Sequence, residues 1–446
     1  MKISAIIAAI GIGLACPALA QDSARDPFAA YADGAYAEAL EGAQAALAGD
    51  ADNPVWWALT GEAQAALGRA GEAADSFGRA ALSETDAGRR SYYLRAQAYQ
   101  MVLAGRSVEA RAVVARAVAE PALQTRTSLD WALVAMAAGD DAAAQEILAD
   151  PAHHEGLTRQ SALDAAYSAK RLGLDERAVQ FFRLGLALDE REEARLSPNS
   201  REQIRREIRE LERVWSVTGQ ASYSSAGRPD GLVPVGDDEA LQVGAELSRR
   251  LGGWRAGRPF SVFARVFHSQ FTGAAGERSG ATQGWVGARY KPLAAVDFNV
   301  EASRLVGLDE NGIDDWSLRS AISAGGGLEP ETGQGSWTYW RGYADASYLF
   351  EKDIAYGLAE ARFGRSLTVG GGTVLTPYAV ARAGLDTGRA EDVSLGAGAG
   401  VSLRHWYAAT DTVAARGFIE LDIQAREGIA GNSDAGGVLA SITVGR

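Results

Sequence analysis

Residues 417–424 read Gly-Phe-Ile-Glu-Leu-Asp-Ile-Gln. Ile419, Leu421 and Ile423 alternate with Glu420, Asp422 and Gln424, a period of two that belongs to a strand and not to a helix. The same rhythm recurs upstream. Leu241, Val243, Ala245 and Leu247 alternate with Gln242, Gly244, Glu246 and Ser248, and Phe298, Val300 and Ala302 alternate with Asp297, Asn299, Glu301 and Ser303. Charges this frequent cannot fill the centre of a water-soluble barrel without partners, because an ionised group is costly to desolvate. The cost falls if the polar set lines a wet lumen and the apolar set faces lipid.

Working outward, segments of about ten residues separated by turn signals predict about twelve antiparallel strands after Trp215. They lie near 216–225, 241–249, 260–269, 282–290, 295–304, 315–323, 339–350, 355–366, 374–385, 392–404, 416–425 and 436–445. An even number returns both ends of the sheet to one side, where the preceding half of the chain must lie. Asp309-Glu310-Asn311-Gly312 and Gly370-Gly371-Gly372 supply hairpin turns. Gly396, Gly398 and Gly400 sit inside a strand, where they let the wall bend or a neighbour come close. Three features fit poorly: Arg265 shares a face with Phe263 and Phe267, the 324–338 link is long on the side where a short turn is expected, and 351–354 is short on the other. A soluble two-sheet sandwich is the alternative.

The preceding half differs in kind. Of the 52 glycines, 15 precede Trp215 and 37 follow it. Residues 27–215 are rich in Ala, Leu, Glu and Arg at helical spacing. Trp57, Gly61, Ala73, Phe77 and Ala80 follow the large/small order of a tetratricopeptide repeat, in which paired helices approach closely only where a small residue meets an aromatic one. Ala110, with Val114 and Ala117, repeats the second-helix positions; Ala143 and Ile147 suggest a degenerate unit, and Ala178, Phe182 and Gly185 a fifth after Tyr167. Residues 199–215 read as a charged terminal helix capped at Asn199 or Ser200, which suits the end of a repeat stack. An irregular helical bundle is the plainer reading.

Residues 1–20 have the form of a secretory signal peptide, with Lys2, an apolar Ile3–Leu14 run and Ala18-Leu19-Ala20 before Gln21. Cys16, the only cysteine, would leave with it. The expected organisation is therefore signal peptide 1–20, periplasmic helical repeats 21–214, and a transmembrane β-barrel over 215–446. No later stretch has the length of a spanning helix. With 44 Lys+Arg against 57 Asp+Glu, a net charge of −13, the chain lacks the basic surface that nucleic acid requires.

The lumen candidates are Glu246, Arg289, Glu301, Arg319, Asp345, Glu360, Arg362, Arg382, Glu420 and Asp422. Mixed signs on facing strands either form ladders that brace the wall or line a path on which sugar hydroxyls are hydrogen-bonded. Trp254, Trp285, Trp316, Trp337, Trp340 and Trp406 lie mostly near strand ends and suit an interfacial girdle. Nothing points to catalysis. His153-His154 is an adjacent pair whose side chains diverge, His268 and Ser269 fall on opposite faces of a strand, and 396–400 precedes no helix. The expectation is no enzyme, no cofactor and no metal.

Several phrases of the second half occur in a familiar order: Tyr290-Lys291-Pro292-Leu293; Asp314-Asp315-Trp316 with Leu318-Arg319; Gly335-Ser336-Trp337; Ala359-Glu360-Ala361-Arg362 before Gly364-Arg365; Leu375-Thr376-Pro377; and Gly398 through Trp406. They resemble the C-terminal domain of the NfrA, or phage-adsorption protein A, family over about residues 280–446. Helical repeats feeding an outer-membrane barrel are also similar to the exporters of cellulose and poly-N-acetylglucosamine. The resemblance implies an outer-membrane part of exopolysaccharide secretion working with an inner-membrane glycosyltransferase under cyclic-di-GMP control, and in one lineage a phage receptor. The partners so implied are outer-membrane lipid, a polysaccharide, and periplasmic or inner-membrane synthase proteins reached through the repeats. The expected role is a passive duct; the alternative is an adhesion or assembly scaffold, or phage receptor, whose barrel is closed.

Overall fold

The computed structural model describes residues 25–123, 128–225, 239–272, 278–331, 333–388, 392–431 and 436–446. The leader expected over 1–20 lies outside them. Contacts divide the chain into two compact units, Met1–Ala143 and Ala144–Arg446, although helix gives way to strand between Glu212 and Trp215.

The first unit is built of antiparallel helix pairs: α1 (Pro27–Ala32) with α2 (Tyr36–Gly49), α3 (Pro54–Ala66) with α4 (Ala70–Ser83), and α5 (Ala87–Leu103) with α6 (Ser107–Ala119); α7 (Leu129–Ala138) follows, and α8 (Asp141–Ile147) crosses the division between units. Caps fix the starts. Asn53 accepts the Val55 N–H ahead of Pro54 at the first helical position, and Asp86 accepts the Arg89 N–H. Phe77, Ala73 and Ala80 are buried, and a Cβ added at Gly61 would stand 3.0 Å from the Phe77 ring. The small/aromatic order of the sequence is thus a real crossing. Ala110, Val114 and Ala117 are buried likewise. Trp57 is only partly buried, with Arg79 over its ring and its Nε1 donating to the Ala51 carbonyl at 2.7 Å.

The second unit begins with α9 (Arg159–Arg171), α10 (Asp175–Asp189) and α11 (Pro198–Glu212). Ala178 and Phe182 are fully buried, with Phe182 edge-on to Tyr167. The cap of α11 is Ser197, two or three residues earlier than expected, because Pro198 takes the first helical position and the Ser197 hydroxyl receives the Ser200 N–H. The helix stops at Glu212, since Trp215 already belongs to the sheet.

Twelve strands follow: β1 (Trp215–Ser224), β2 (Ala240–Leu251), β3 (Phe260–Thr272), β4 (Arg278–Tyr290), β5 (Asp297–Gly307), β6 (Asp315–Gly326), β7 (Ser336–Leu349), β8 (Ile354–Gly370), β9 (Thr373–Asp386), β10 (Val393–Tyr407), β11 (Gly417–Gly431) and β12 (Gly437–Gly445). Each pairs antiparallel with its neighbours, and β1 pairs with β12 from Thr218↔Gly445 to Ser224↔Leu439, so the sheet is a closed barrel without an edge. The sandwich alternative is excluded by that closure. Leu241, Val243, Val286, Leu318, Phe363, Leu421, Ile423 and Ile442 are exposed on the outer face, whereas Gln242, Gln283, Glu301, Ser366, Asp422 and Gln424 are buried inside. Apolar outside and polar inside is the arrangement of a barrel in lipid.

Candidate functional site

All ten charged residues singled out in the sequence occupy inward positions of the strands. Alternation on each strand puts them there, and the register puts opposite charges face to face: Glu246↔Arg265, Arg289↔Glu301, Glu301↔Arg319, Glu360↔Arg382 and Arg404↔Glu420 are directly paired. From β2 to β7 they form one belt. Arg265 Nη2 lies 2.6 Å from Glu246 Oε2, Arg289 Nη2 3.0 Å from Glu246 Oε1, and Arg289 Nε 2.6 Å from Glu301 Oε1. Arg319 then reaches Glu301 at 3.6 Å and Asp345 at 2.6 Å, and donates to the Tyr343 hydroxyl at 2.6 Å.

A second group closes the other side of the lumen. Arg362 bridges Glu360 at 2.6 Å and Asp422 at 2.9 Å, and the Tyr378 hydroxyl donates to both oxygens of Asp422 at 2.8 and 2.7 Å. Arg404 pairs with Glu420. The side chains are tightly enclosed: 4% of Asp422, 6% of Arg265, 7% of Glu301 and 13% of Arg319 is exposed. In this state the charges brace the wall rather than line a broad wet tube.

The two ends of the lumen are narrowed by connections that turn inward. At the end away from the helices, Gln283 exchanges two 2.8 Å hydrogen bonds with the backbone of Ile313, whose side chain joins an apolar layer of Phe263, Trp285, Leu305, Leu349 and Tyr356. At the helix end, the Gly327 carbonyl accepts from Trp337 Nε1 at 2.9 Å and from the Ser366 hydroxyl at 2.6 Å, and Leu328 packs on Tyr339, Tyr378 and Val380.

Over the same helix-end mouth lies α11. Arg250, at the end of β2, donates to the carbonyls of Glu210 and Leu211 at 2.8 Å each, capping the C-terminus of α11 with a cation. Arg206 and Arg209 both pair with Glu329 in the β6–β7 connection, Arg209 at 2.8 Å. Arg205 donates to the Thr410 and Val413 carbonyls in the β10–β11 connection, and its own carbonyl accepts the Ala414 N–H at 3.2 Å. Arg209 is buried, which works against its charge, but Glu329 and Glu210 outweigh this and hold the guanidinium above its usual value. Behind α11, the Asp175 carboxylate receives the Trp254 N–H; burial pushes that carboxyl up despite the hydrogen bond and the nearby Arg250 and Lys170.

Residues 276–442, which take in nearly all of β4 to β12, match the family described as the C-terminal part of bacteriophage N adsorption protein A. This part of the chain is similar to that family. Among solved structures, an outer membrane channel from Pseudomonas putida F1 is similar at 12% identity, covering 52% of this chain and 94% of its own, with a TM-score of 0.33. The β domain of the Bordetella autotransporter BrkA is similar at 11% identity over 52% of this chain and 98% of its own (TM-score 0.33), and MamA at 16% over 39% and 98% (TM-score 0.31). No curated protein matches. The chain is thus a closed twelve-stranded β-barrel, similar over residues 276–442 to the NfrA C-terminal family, preceded by a tetratricopeptide-like helical region.

Within this barrel three residues of the site were missed by sequence reasoning. Arg265 stood among phenylalanines; it is inward because Phe263 is inward too, lying beneath the guanidinium groups of Arg265 and Arg289 at 4.9 and 5.1 Å. Pairing the strands outward from the β2–β3 turn would have set it opposite Glu246. Arg404 and Tyr378 carried no such conflict and needed only the same register. The tryptophan girdle requires correction. Trp316 and Trp340 are exposed on the outer face, but Trp285 and Trp337 are buried inside, and Trp406 turns in to donate to the Leu328 carbonyl at 3.3 Å. Trp254 sits instead against α9 and α10, beneath Lys170 and Arg250. Of the other expectations, Ser269 is inside against Gln242, His268 is on the outer face bonded to Thr282, and His154 meets the Leu148 carbonyl and the Phe181 ring.

Proposed function

We propose that this protein is the outer-membrane component of an exopolysaccharide export system, a non-catalytic duct that passes or anchors a glycan while its helical repeats dock periplasmic or synthase partners. The observation that carries the reading is the interior itself. Guanidinium, carboxylate and phenol groups succeed one another around the lumen from Glu246 to Asp422, and such groups supply the donors and acceptors that sugar hydroxyls need. Under this reading the helix-bearing end faces the periplasm. Neither a cofactor nor a metal has a part in it.

The test is polymer release. Cells lacking the protein should hold their exopolysaccharide behind the outer membrane and shed at least tenfold less into the medium, with release restored by the wild-type chain; normal release from the deletion strain would remove the proposal. A second reading, a closed scaffold or phage receptor, is favoured by the small exposure of Asp422, Arg265 and Glu301. Purified protein that inserts in planar bilayers yet passes no current, even with Arg289→Ala and Glu301→Ala combined, would favour that reading.

A further inference from the structure

The anchorages of α11 lie at the end of β2, where Arg250 holds it, on the connection 327–335 and on the connection 408–416. In the ring of twelve strands these mark the ends of β2, β6 and β10, so they stand four strands apart, at thirds of the circumference. A single straight helix can touch three points so spaced only by lying across the opening. We propose that α11 is a movable lid on the helix-end mouth, latched through Glu329; the proposal rests on the duct reading and adds its regulation.

The contacts divide into a hinge and a latch. At the C-terminal end only Arg213 and Val214 separate α11 from β1, and Arg250 secures this end twice over, through its guanidinium on Glu210 and Leu211 and through its N–H on the Val214 carbonyl at 2.8 Å. Farther back along the helix the side-chain ties to the barrel include Arg206 and Arg209 on Glu329, Arg209 on the Ala415 carbonyl at 3.1 Å, and Arg205 on the Thr410 and Val413 carbonyls, all of them polar. Arg206 and Glu329 are partly exposed, at 35% and 24%, so water can replace their pairing at small cost. The apolar residues Ile204, Ile208 and Leu211 are buried, and α11 packs on α10, so the lid would move with the helices behind it.

The latch is also coupled to the constriction. Glu329 follows Leu328, which rests on Tyr339 and Tyr378 inside the lumen, and Leu328 follows Gly327, whose carbonyl holds Trp337 and Ser366. Drawing Glu329 outward with the lid would pull Leu328 off the tyrosines, opening mouth and lumen in one movement.

The experiment uses full-length protein in planar bilayers, with Cys16→Ser to leave a cysteine pair at Arg205→Cys and Ala414→Cys, whose backbones meet at 3.2 Å. Glu329→Gln should raise the time spent conducting at least tenfold over wild type; Arg206→Ala serves as a second latch variant should the first fold poorly. In the Glu329→Gln background the oxidised pair should silence the current and a reductant should restore it. If the pair fails to cross-link in folded barrels, α11 does not lie at the mouth and the proposal is overturned. A cross-linked protein that conducts as well as the reduced one overturns the lid while leaving the duct intact. Silence of every form, with the cross-link made, overturns the duct reading and the gate with it.

Discussion

Tyr378 shows how single residues shape the lumen. Its ring lies flat along the inner wall because the neighbouring strand carries glycine: a Cβ at Gly400 would be 2.6 Å from the phenol. Gly244 makes the same room for Phe267, where a Cβ would fall 2.1 Å from the ring. Aromatic rings covering glycines across a strand pair protect the exposed backbone and fix register. Gly400→Val should therefore lower the fraction of protein giving the heat-shifted folded band on gels severalfold, and Tyr378→Ala added to it should restore much of that fraction. If the single variant folds normally, the ring is not held as described. Glu301 makes the complementary case. It serves Arg289, Arg265 and Arg319 together, so Glu301→Ala takes one acceptor from each of three enclosed guanidinium groups and leaves their charge underbalanced, at about 3–5 kcal/mol. The urea midpoint of the barrel should fall accordingly, whereas Glu239→Ala at the exposed far rim should leave it in place. At this scale the sequence was largely readable, because a period of two needs only one correct parity per strand. Where it failed, at Arg265 and the inward tryptophans, the lumen held aromatic rings that hydropathy assigns to lipid.

Among the elements, the helices carry a signal that residue type alone obscured. Gly34, Gly68, Gly105, Gly139 and Gly173 all have φ between 74° and 80°, each just past a helix whose end a left-handed residue terminates. They recur every 34 residues except for one interval of 37, where α5 is lengthened. The period is the tetratricopeptide one, yet aromatic and alanine positions had drifted enough to make the later units look degenerate. Trp131, buried with its Nε1 on the Ser91 hydroxyl at 2.9 Å, is a core residue that the drift concealed. Phe77→Ala should cost the first unit about 3–5 kcal/mol, read as an earlier loss of helical signal in urea with the barrel transition unmoved. The joint between α10 and α11 depends on charge. Burial pushes the Asp189 carboxyl up, but the Leu196 N–H at 2.7 Å, Arg159 at 2.8 Å and Arg201 at 3.3 Å outweigh it and hold it below the usual carboxylate range. A carboxyl with a depressed folded pKa adds stability that is complete above its unfolded value, near 4, and is lost as pH falls through the folded one. Thermal unfolding of the helical signal should thus drop more steeply below pH 4 in wild type than in Asp189→Asn; parallel profiles would show that this carboxylate does not set the acid limit.

For the molecule as a whole, the unexpected loop lengths have a single cause. The sequence led us to expect short turns at the helix end and long loops at the other, and the 327–335 and 350–353 connections do the reverse. The reason is that 252–259, 327–335 and 408–416 carry the helices: Trp254 takes the Asp175 carboxylate, Glu329 takes two arginines of α11, and Ala414 bonds the Arg205 carbonyl. No local pattern announces such a contact, since it joins residues 79 or more positions apart. It also explains why the charged terminal helix is not the solvent-facing end of a stack: its charges are spent on the barrel rim. The even strand number puts the helices and both sheet ends on one side. If that side is the periplasm, an epitope inserted in the 350–353 connection should be stained by antibody on intact cells. An epitope in the 291–296 connection should be stained only after the outer membrane is permeabilised. The opposite staining would place α11 on the cell surface, where it could cover the duct against the medium but could not answer to a synthase, and the docking role assigned to the repeats would have to be given up.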